Sequence, residues 1–200
     1  MHEQTEPDLD GSRAAFLRRG AKVAGMAFAG VAAAGGTGLV SAASQDRDRQ
    51  VLELLVVIEQ AEGALYRDVL KGGALDGELK RFAEVVVDQE QVHLATVTKA
   101  LGGSAPKAPA IDFGAAIKEP EAFATAAARL EDLAVAAYNG QAGNVSKQVF
   151  LAAARIVSVE ARHAAWVRSI QGLDPAPAAA DRPQTAGEVR KGLRALGVEA

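Results

Sequence analysis

The 200-residue chain contains no cysteine, which excludes disulfides, thiolate metal sites, iron–sulfur clusters, rubredoxin-type iron centres and a cysteine nucleophile. Aromatic residues make up only 4% of the chain, whereas alanine and glycine are abundant, and this composition favours closely packed helices over sheets. The formal net charge is −3, and no basic face of the kind that binds nucleic acid stands out. We therefore expect one globular helical domain with tails and no nucleic-acid partner.

Histidine is also scarce, and its placement is informative. Of the three histidines, His2 lies near the start of the chain. The other two close the same four-residue pattern, Glu90-Gln-Val-His93 and Glu160-Ala-Arg-His163. Because residues three apart on an α-helix face the same side, each pair presents a carboxylate and an imidazole at one place. That combination suits a metal ion.

Residues 1–43 resemble an export signal. Arginines precede an uncharged stretch rich in Ala, Gly and Val over residues 23–40, and Val40-Ser41-Ala42 has the small residues that signal peptidase prefers. The start resembles a twin-arginine signal, although Ala14 stands where that pattern has its second arginine. The alternative is an uncleaved membrane anchor, because about 18 residues is near the minimum for a span. The Gly and Ala richness favours a cleaved signal, so we expect a periplasmic or otherwise extracytoplasmic protein.

Beyond the signal, apolar residues recur at helical intervals and predict four long helices. Their expected ranges are about residues 47–70, 78–101, from 120 through at least 138, and 146–170. Gly72, Gly73 and Gly77 separate the first two helices, and Pro120 is a favourable first-turn residue for the third. The short connections within the first pair and within the second pair predict two antiparallel hairpins.

The connection over residues 102–119 is long. Some 18 residues can reach ~60 Å when extended, whereas a helix of about 24 residues is ~36 Å long. The segment can therefore cross the whole bundle and start the third helix from the far end. The expected fold class is all-α, a four-helix bundle of two antiparallel hairpins joined by a long crossover, over residues 44–171.

Residues 172–200 are expected to form a Pro/Ala-rich linker and a short C-terminal helix. Thr185 and Glu188 have the spacing of a capping box, and Val189, Leu193 and Leu196 could form one apolar stripe. We expect this helix to dock on the bundle; the alternative is that it binds a partner.

The two predicted hairpins repeat one set of polar positions. Glu59 is followed seven residues later by Tyr66, and Glu131 is followed seven residues later by Tyr138. These are the only two tyrosines of the chain. A Glu-x-x-His pattern follows 24 residues after the first tyrosine and 22 after the second. The repeat predicts that two hairpins of one design meet across the bundle.

Six polar residues occupy helix positions where the apolar seam calls for Leu, Val or Ala. They are Glu59, Glu90, His93, Glu131, Glu160 and His163. Desolvating an ionised carboxylate costs several kcal/mol, so four converging carboxylates need matching positive charge, and the nearby arginines lie off the seam. Two divalent ions would balance them, with the histidines as neutral donors; iron or manganese suits these ligands, and zinc also fits. The alternative places both Glu-x-x-His pairs on exposed helix faces as ordinary solvated residues.

The chain resembles the ferritin-like superfamily, and most closely its exported bacterial branch related to desiccation-associated proteins. The resemblance covers about residues 47–171. It is carried by Ile58-Glu59-Gln-Ala-Glu62 with Tyr66, Asp88-Gln-Glu90-Gln-Val-His93, Leu130-Glu131-Asp with Tyr138, and Val159-Glu160-Ala-Arg-His163. One glutamate from each of two helices and Glu-x-x-His from the other two is the general pattern of ferritin-like di-iron and di-manganese proteins.

The resemblance implies a role for each residue. Glu59 and Glu131 would each bind one ion terminally, Glu90 and Glu160 would bridge the two ions, and His93 and His163 would each complete one site. Tyr66 and Tyr138 would form hydrogen bonds just outside the ligands or quench radicals, with plain core packing as the alternative. Glu62, on the same face as Glu59, would be a seventh ligand, a proton carrier or a replacement ligand.

The resemblance also implies a function. Reduced iron or manganese would react with O₂ or peroxide, as in a ferroxidase or peroxidase, and electrons would come from an external donor that the sequence does not identify. A homodimer along exposed apolar helix faces is compatible with the pattern. One alternative is a non-catalytic metal-binding or stress-protective envelope protein of the same fold. Another is an iron-storage cage, which the long tail and the export signal disfavour.

Overall fold

A computed structural model describes residues 42–102 and 105–200. The α-helices in these ranges are α1 (Ala42–Gly72), α2 (Gly77–Leu101), α3 (Pro120–Gln141), α4 (Lys147–Ile170) and α5 (Ala186–Ala195), with short 3-10 turns at Gly114–Ile117 and Ala142–Asn144. No helix in the described ranges is long and apolar enough to cross a membrane. Nearly all of the predicted export signal lies outside the described residues, so export stays a prediction.

The four long helices agree with the predicted ones except at the start of α1. Within the described residues this helix already includes Ala42, five residues before the predicted start at residue 47. Its first turns are mostly exposed and carry Ser, Gln, Asp and Arg side chains. A helix turn without a buried face has no apolar period, so a search for apolar repeats misses it.

Aromatic contacts at one end of the bundle show how the helices connect. Tyr66, in the last third of α1, packs edge-on against Phe82 and Phe123 with ring centroids 5.7 Å apart in both pairs. Phe82 and Phe123 lie near the first residues of α2 and α3. The second and third helices therefore begin at the same end of the bundle, and the connection between them runs back along its length. The predicted long crossover is confirmed.

The C-terminal helix docks on α3, as predicted. Thr185 and Glu188 form the expected capping box, and the Val189 and Leu193 side chains are fully buried. The chain before α5 lies so close to α3 that a Cβ atom added at Gly140 would stand 1.9 Å from the carbonyl oxygen of Gln184. Burial of each large apolar side chain contributes roughly 1.5–3 kcal/mol, so the helix is a packed part of the domain.

Candidate metal centre

A buried polar cluster lies in the middle of the bundle, and all four long helices contribute to it. Its members are Glu59 from α1, Glu90 and His93 from α2, Glu131 from α3, and Glu160 and His163 from α4. The four carboxylates are completely buried, and the two histidines are 6% and 3% exposed. The structure therefore brings together the six residues that the repeat singled out and places none of them on a solvated face.

His93 is the centre of one half of this cluster. Its Nδ1 atom lies 2.6 Å from Oε1 of Glu160, 3.2 Å from Oε2 of Glu90 and 3.7 Å from Oε2 of Glu59. One ligand atom from each of these four residues lies within 4.8 Å of the others. The group has the composition and the size of a site for one metal ion.

His163 is the centre of the other half. Its Nδ1 atom lies 3.1 Å from Oε1 of Glu90, 3.3 Å from Oε2 of Glu131 and 3.3 Å from Oε2 of Glu160. Glu90 and Glu160 each turn one carboxylate oxygen toward His163 and the other toward His93. The two halves therefore share two carboxylates, an arrangement that could serve two neighbouring cations.

Residues 47–173, more than half of the chain, match a known family described as a ferritin-like domain. The chain belongs to this family. A search of curated proteins finds no match. The match confirms the ferritin-like superfamily that the sequence resembled, whereas the exported, desiccation-related branch stays a prediction.

Each tyrosine of this ferritin-like domain contacts a carboxylate of the opposite hairpin. The hydroxyl of Tyr66 donates a hydrogen bond to Oε1 of Glu131, and the hydroxyl of Tyr138 donates one to Oε1 of Glu59. The other oxygen of each glutamate, Oε2, has no hydrogen-bond partner and lies toward the histidines. The tyrosines therefore hold the outer oxygens of the two unshared carboxylates, while the inner oxygens stay free to bind a cation.

No lysine or arginine of the described residues forms an ion pair with the cluster. Arg168, one of the nearby arginines, pairs with Asp132 at the surface instead. Several buried carboxylate oxygens have no hydrogen-bond donor other than the cluster histidines: Glu59 Oε2, Glu90 Oε1, Glu131 Oε2 and both oxygens of Glu160. Buried acceptors are normally satisfied, so oxygens that converge here with only two histidines as donors could bind a cation.

Protons take the place of that cation when no metal is bound. Burial raises the pKa of Glu59 well above its ordinary value and that of Glu131 to about 8. Burial alone would lower the pKa of the two histidines, but the surrounding carboxylates raise it to about 10 for His93 and about 12 for His163. Burial also disfavours ionised Glu160, yet hydrogen bonds from both histidines lower its pKa to about 2. The metal-free cluster is therefore held together by histidinium–carboxylate pairs.

Glu62 lies beside the cluster but outside both groups of potential ligands. It is completely buried, and neither of its oxygens has a hydrogen-bond partner. Burial, followed by repulsion from Glu160 and Glu90, raises its pKa well above the ordinary value. Glu62 therefore lies outside the two groups, and its role as a seventh ligand or a proton carrier stays a prediction.

Gln89 is a site residue that the sequence reasoning missed. Its Oε1 atom lies 2.8 Å from Nε2 of His163, the ring nitrogen that faces away from the carboxylates. A metal-binding histidine usually donates its second ring N–H to such an acceptor. In the sequence, the only sign of this role is that Gln89 directly precedes the predicted ligand Glu90. The packing of α2 against α4 is needed to show that Gln89 contacts His163.

Proposed function

We propose that this ferritin-like protein binds two iron or manganese ions side by side in the bundle core and uses them to oxidise Fe(II) or to reduce O₂ or peroxide. The observation that supports the proposal best is the sharing of Glu90 and Glu160 between two buried ligand groups. Carboxylate and imidazole donors without sulfur suit iron and manganese, and zinc is compatible with the same set.

The residues present fit two ions. One would be held by Glu59, Glu90, His93 and Glu160, and the other by Glu90, Glu131, Glu160 and His163. Four carboxylates balance the charge of two divalent cations, and the unpaired oxygens supply the donor atoms. Two neighbouring redox-active ions, when bound, would supply the two electrons that peroxide reduction needs, and turnover would require an external electron donor.

The protein's own groups would prepare the site. The histidines must release their protons to bind a metal, and the complete burial of the carboxylates keeps bulk water away from them. Tyr66 and Tyr138 hold the outer oxygens of Glu131 and Glu59, so that each carboxylate offers its inner oxygen. Glu62 can give or take a proton beside the cluster without leaving the protein interior.

We also propose that the protein acts outside the cytoplasm. The support is the signal-like sequence of residues 1–43, with its arginines, its uncharged stretch and its small residues at positions 40–42. The lack of cysteine is compatible with an oxidising compartment, where the protein would protect against oxidative stress.

A non-catalytic metal-binding protein of the same fold is the second candidate. The burial of the cluster favours this second candidate. None of the four carboxylates reaches the surface, and the most exposed member, His93, is only 6% exposed. A site that holds metal without admitting an oxidant would protect the cell by sequestration alone.

Metal analysis followed by Fe(II) addition separates these candidates. The purified protein is analysed for metal, stripped, and mixed with two equivalents of Fe(II) without oxygen, and air is then admitted. Two metals per chain with rapid Fe(II) oxidation supports the first proposal, and binding without oxidation supports the second. Thousands of irons per assembly would support iron storage instead. If the wild-type protein retains no metal, both of the first two proposals are wrong.

A further inference from the structure

The outer ring nitrogens of the two cluster histidines differ in their surroundings. Nε2 of His163 lies 2.8 Å from Oε1 of Gln89. Within residues 42–102 and 105–200, Nε2 of His93 has no hydrogen-bond partner. The inner Nδ1 atoms, by contrast, are equivalent, because each faces three carboxylates.

The difference between the two outer nitrogens follows from one pair of equivalent positions in the internal repeat. Gln89 directly precedes the shared carboxylate of α2, and Val159 directly precedes the shared carboxylate of α4. Both side chains are half-buried. Each histidine lies near the glutamate of the other helix, so the repeat makes Val159 the counterpart of Gln89, and we infer that Val159 faces His93 as Gln89 faces His163. Valine has no atom that can accept a hydrogen bond.

A hydrogen-bond acceptor at the outer nitrogen keeps the proton there, so that the inner nitrogen has no proton and can bind a metal ion. A histidine that binds a metal through Nδ1 must carry its proton on Nε2. The Gln89 oxygen accepts that proton's hydrogen bond, so it stabilises the metal-binding tautomer of His163 and holds the plane of its ring. Within the described residues no acceptor of this kind holds His93, whose ring is oriented by the carboxylates around its inner nitrogen and by stacking against the ring of His163.

We propose that Gln89 is a positioning residue for His163 and that the two metal sites are therefore unequal. The site that contains His163 and Glu131 fills first and binds its ion more tightly than the site that contains His93 and Glu59. This inference rests on the proposed two-metal function and deepens it, because it assigns an order of loading to the two halves.

Cobalt titration of the metal-free full-length protein tests the order of loading. Co(II) is added without oxygen and followed by calorimetry and visible absorption. We expect two steps in the wild type, and Gln89→Leu should weaken the tighter step about 10–100-fold while leaving the other unchanged. Gln89→Glu, which keeps an acceptor, should retain the tighter step. Val159→Gln should strengthen the weaker step.

Proton NMR of the cobalt-loaded protein reports the tautomer directly. Each bound histidine should give one exchangeable, strongly shifted ring N–H signal, and the signal of His163 should exchange with solvent more slowly than that of His93. Gln89→Leu should accelerate the exchange of the His163 signal alone. Gln91→Leu, an exposed glutamine two residues away, is the matched control and should change neither signal.

The outcomes distinguish this inference from the proposed function. Two wild-type steps of equal affinity that neither Gln89→Leu nor Val159→Gln alters would overturn the inference and leave the two-metal proposal standing. A wild-type protein that binds no cobalt would overturn both. If Gln89→Leu does not fold, as judged by its helical circular dichroism, Val159→Gln decides the question, because failure to strengthen the weaker step contradicts the inference.

Discussion

The two hairpins, α1–α2 and α3–α4, share one set of polar positions, and two of the differences between them lie beside the cluster. Their shared polar positions are Glu59 and Glu131, Tyr66 and Tyr138, Glu90 and Glu160, and His93 and His163. The first hairpin adds Glu62 where the second has Ala134, and Gln89 where the second has Val159.

The shared positions define the cluster, because each hairpin supplies only half of it. Each group of potential ligands contains residues from both hairpins. Each tyrosine hydroxyl also bonds a glutamate of the opposite hairpin. The two differing positions contribute no ligand to either group. Under the proposed two-metal function, the repeat would set how many ions bind, and the differences between the hairpins would set how the two ions differ.

Removing a shared carboxylate should have the largest effect. Glu160 lies within 3.3 Å of both histidines, so Glu160→Ala removes one donor from each group. We expect metal content to fall from two ions per chain to less than one, measured by elemental analysis after dialysis. Glu53→Ala, an exposed glutamate of α1 that pairs with Arg49, is the control and should keep two ions. If the Glu160→Ala variant retains two ions per chain, Glu160 is not shared between the two groups of ligands.

Removing an unshared carboxylate should affect one ion only. Glu59 belongs to the first group of ligands and Glu131 to the second, so Glu59→Ala and Glu131→Ala should each retain about one ion per chain. Cobalt spectra of the two variants should differ, because the remaining ion occupies a different half of the cluster in each. Loss of both ions in either variant would show that the halves do not bind independently.

The metal-free protein should lose stability as the pH rises above neutral. His93 has a folded pKa of about 10 against 6.5 when unfolded, so its proton stabilises the fold fully below pH 6.5 and this stabilisation is lost as the pH rises through 10. Glu131, raised to about 8, acts in the same direction between pH 4.5 and 8. Glu160, lowered to about 2, acts oppositely and stabilises the fold above pH 4.5.

Thermal unfolding in a chelator from pH 6 to pH 10 measures this effect. The melting temperature of the metal-free protein should fall across this range, whereas that of the metal-loaded protein should fall much less, because metal ions then supply the positive charge. If the melting temperature falls equally with pH in the metal-free and metal-loaded protein, the cluster protons do not replace a cation.

Removing either tyrosine hydroxyl should cost a similar amount of stability. Tyr66→Phe and Tyr138→Phe each leave one buried carboxylate oxygen without its donor, which costs about 1–3 kcal/mol. Urea unfolding of the metal-loaded protein gives the free energy of each variant. A large difference between the two variants would mean that the hairpins are less alike at these positions than their hydrogen bonds indicate.

Removing the additional carboxylate of the first hairpin should have the smallest effect. Glu62→Met replaces an unpaired buried acid with an apolar side chain of similar size, which should stabilise the metal-free protein by roughly 1 kcal/mol. Two ions should still bind, because Glu62 belongs to neither group of ligands. Loss of an ion would show that Glu62 is a ligand after all, and slower Fe(II) oxidation with full metal content would support its role as a proton carrier.

Much of the fold could be predicted because its signals are local. Helical spacing of apolar residues predicted α1 to α4, and the length of the connection after α2 predicted the crossover. The capping box at Thr185 predicted the start of α5. The early start at Ala42 could not be predicted in this way, because the first turns of α1 bury almost nothing.

The partners of individual side chains were harder to predict. Helical spacing shows that Tyr66 shares a face with Glu59, yet its hydroxyl bonds Glu131 on the other hairpin. Gln89 likewise contacts a histidine 74 positions away along the chain. Such contacts depend on the register of one helix against another, and a spacing rule within one helix contains no information about that register.

The sequence by itself determined the four helices, their pairing into repeated hairpins and the six residues that lie on the buried face, since each depends on the order of apolar and polar residues along one helix. Only the tertiary structure decided which oxygen faces which histidine, which tyrosine bonds which glutamate, and that Gln89 contacts the outer nitrogen of His163. The reason is physical. Burial follows from local pattern, whereas the inequality of the two halves arises where separate helices cross.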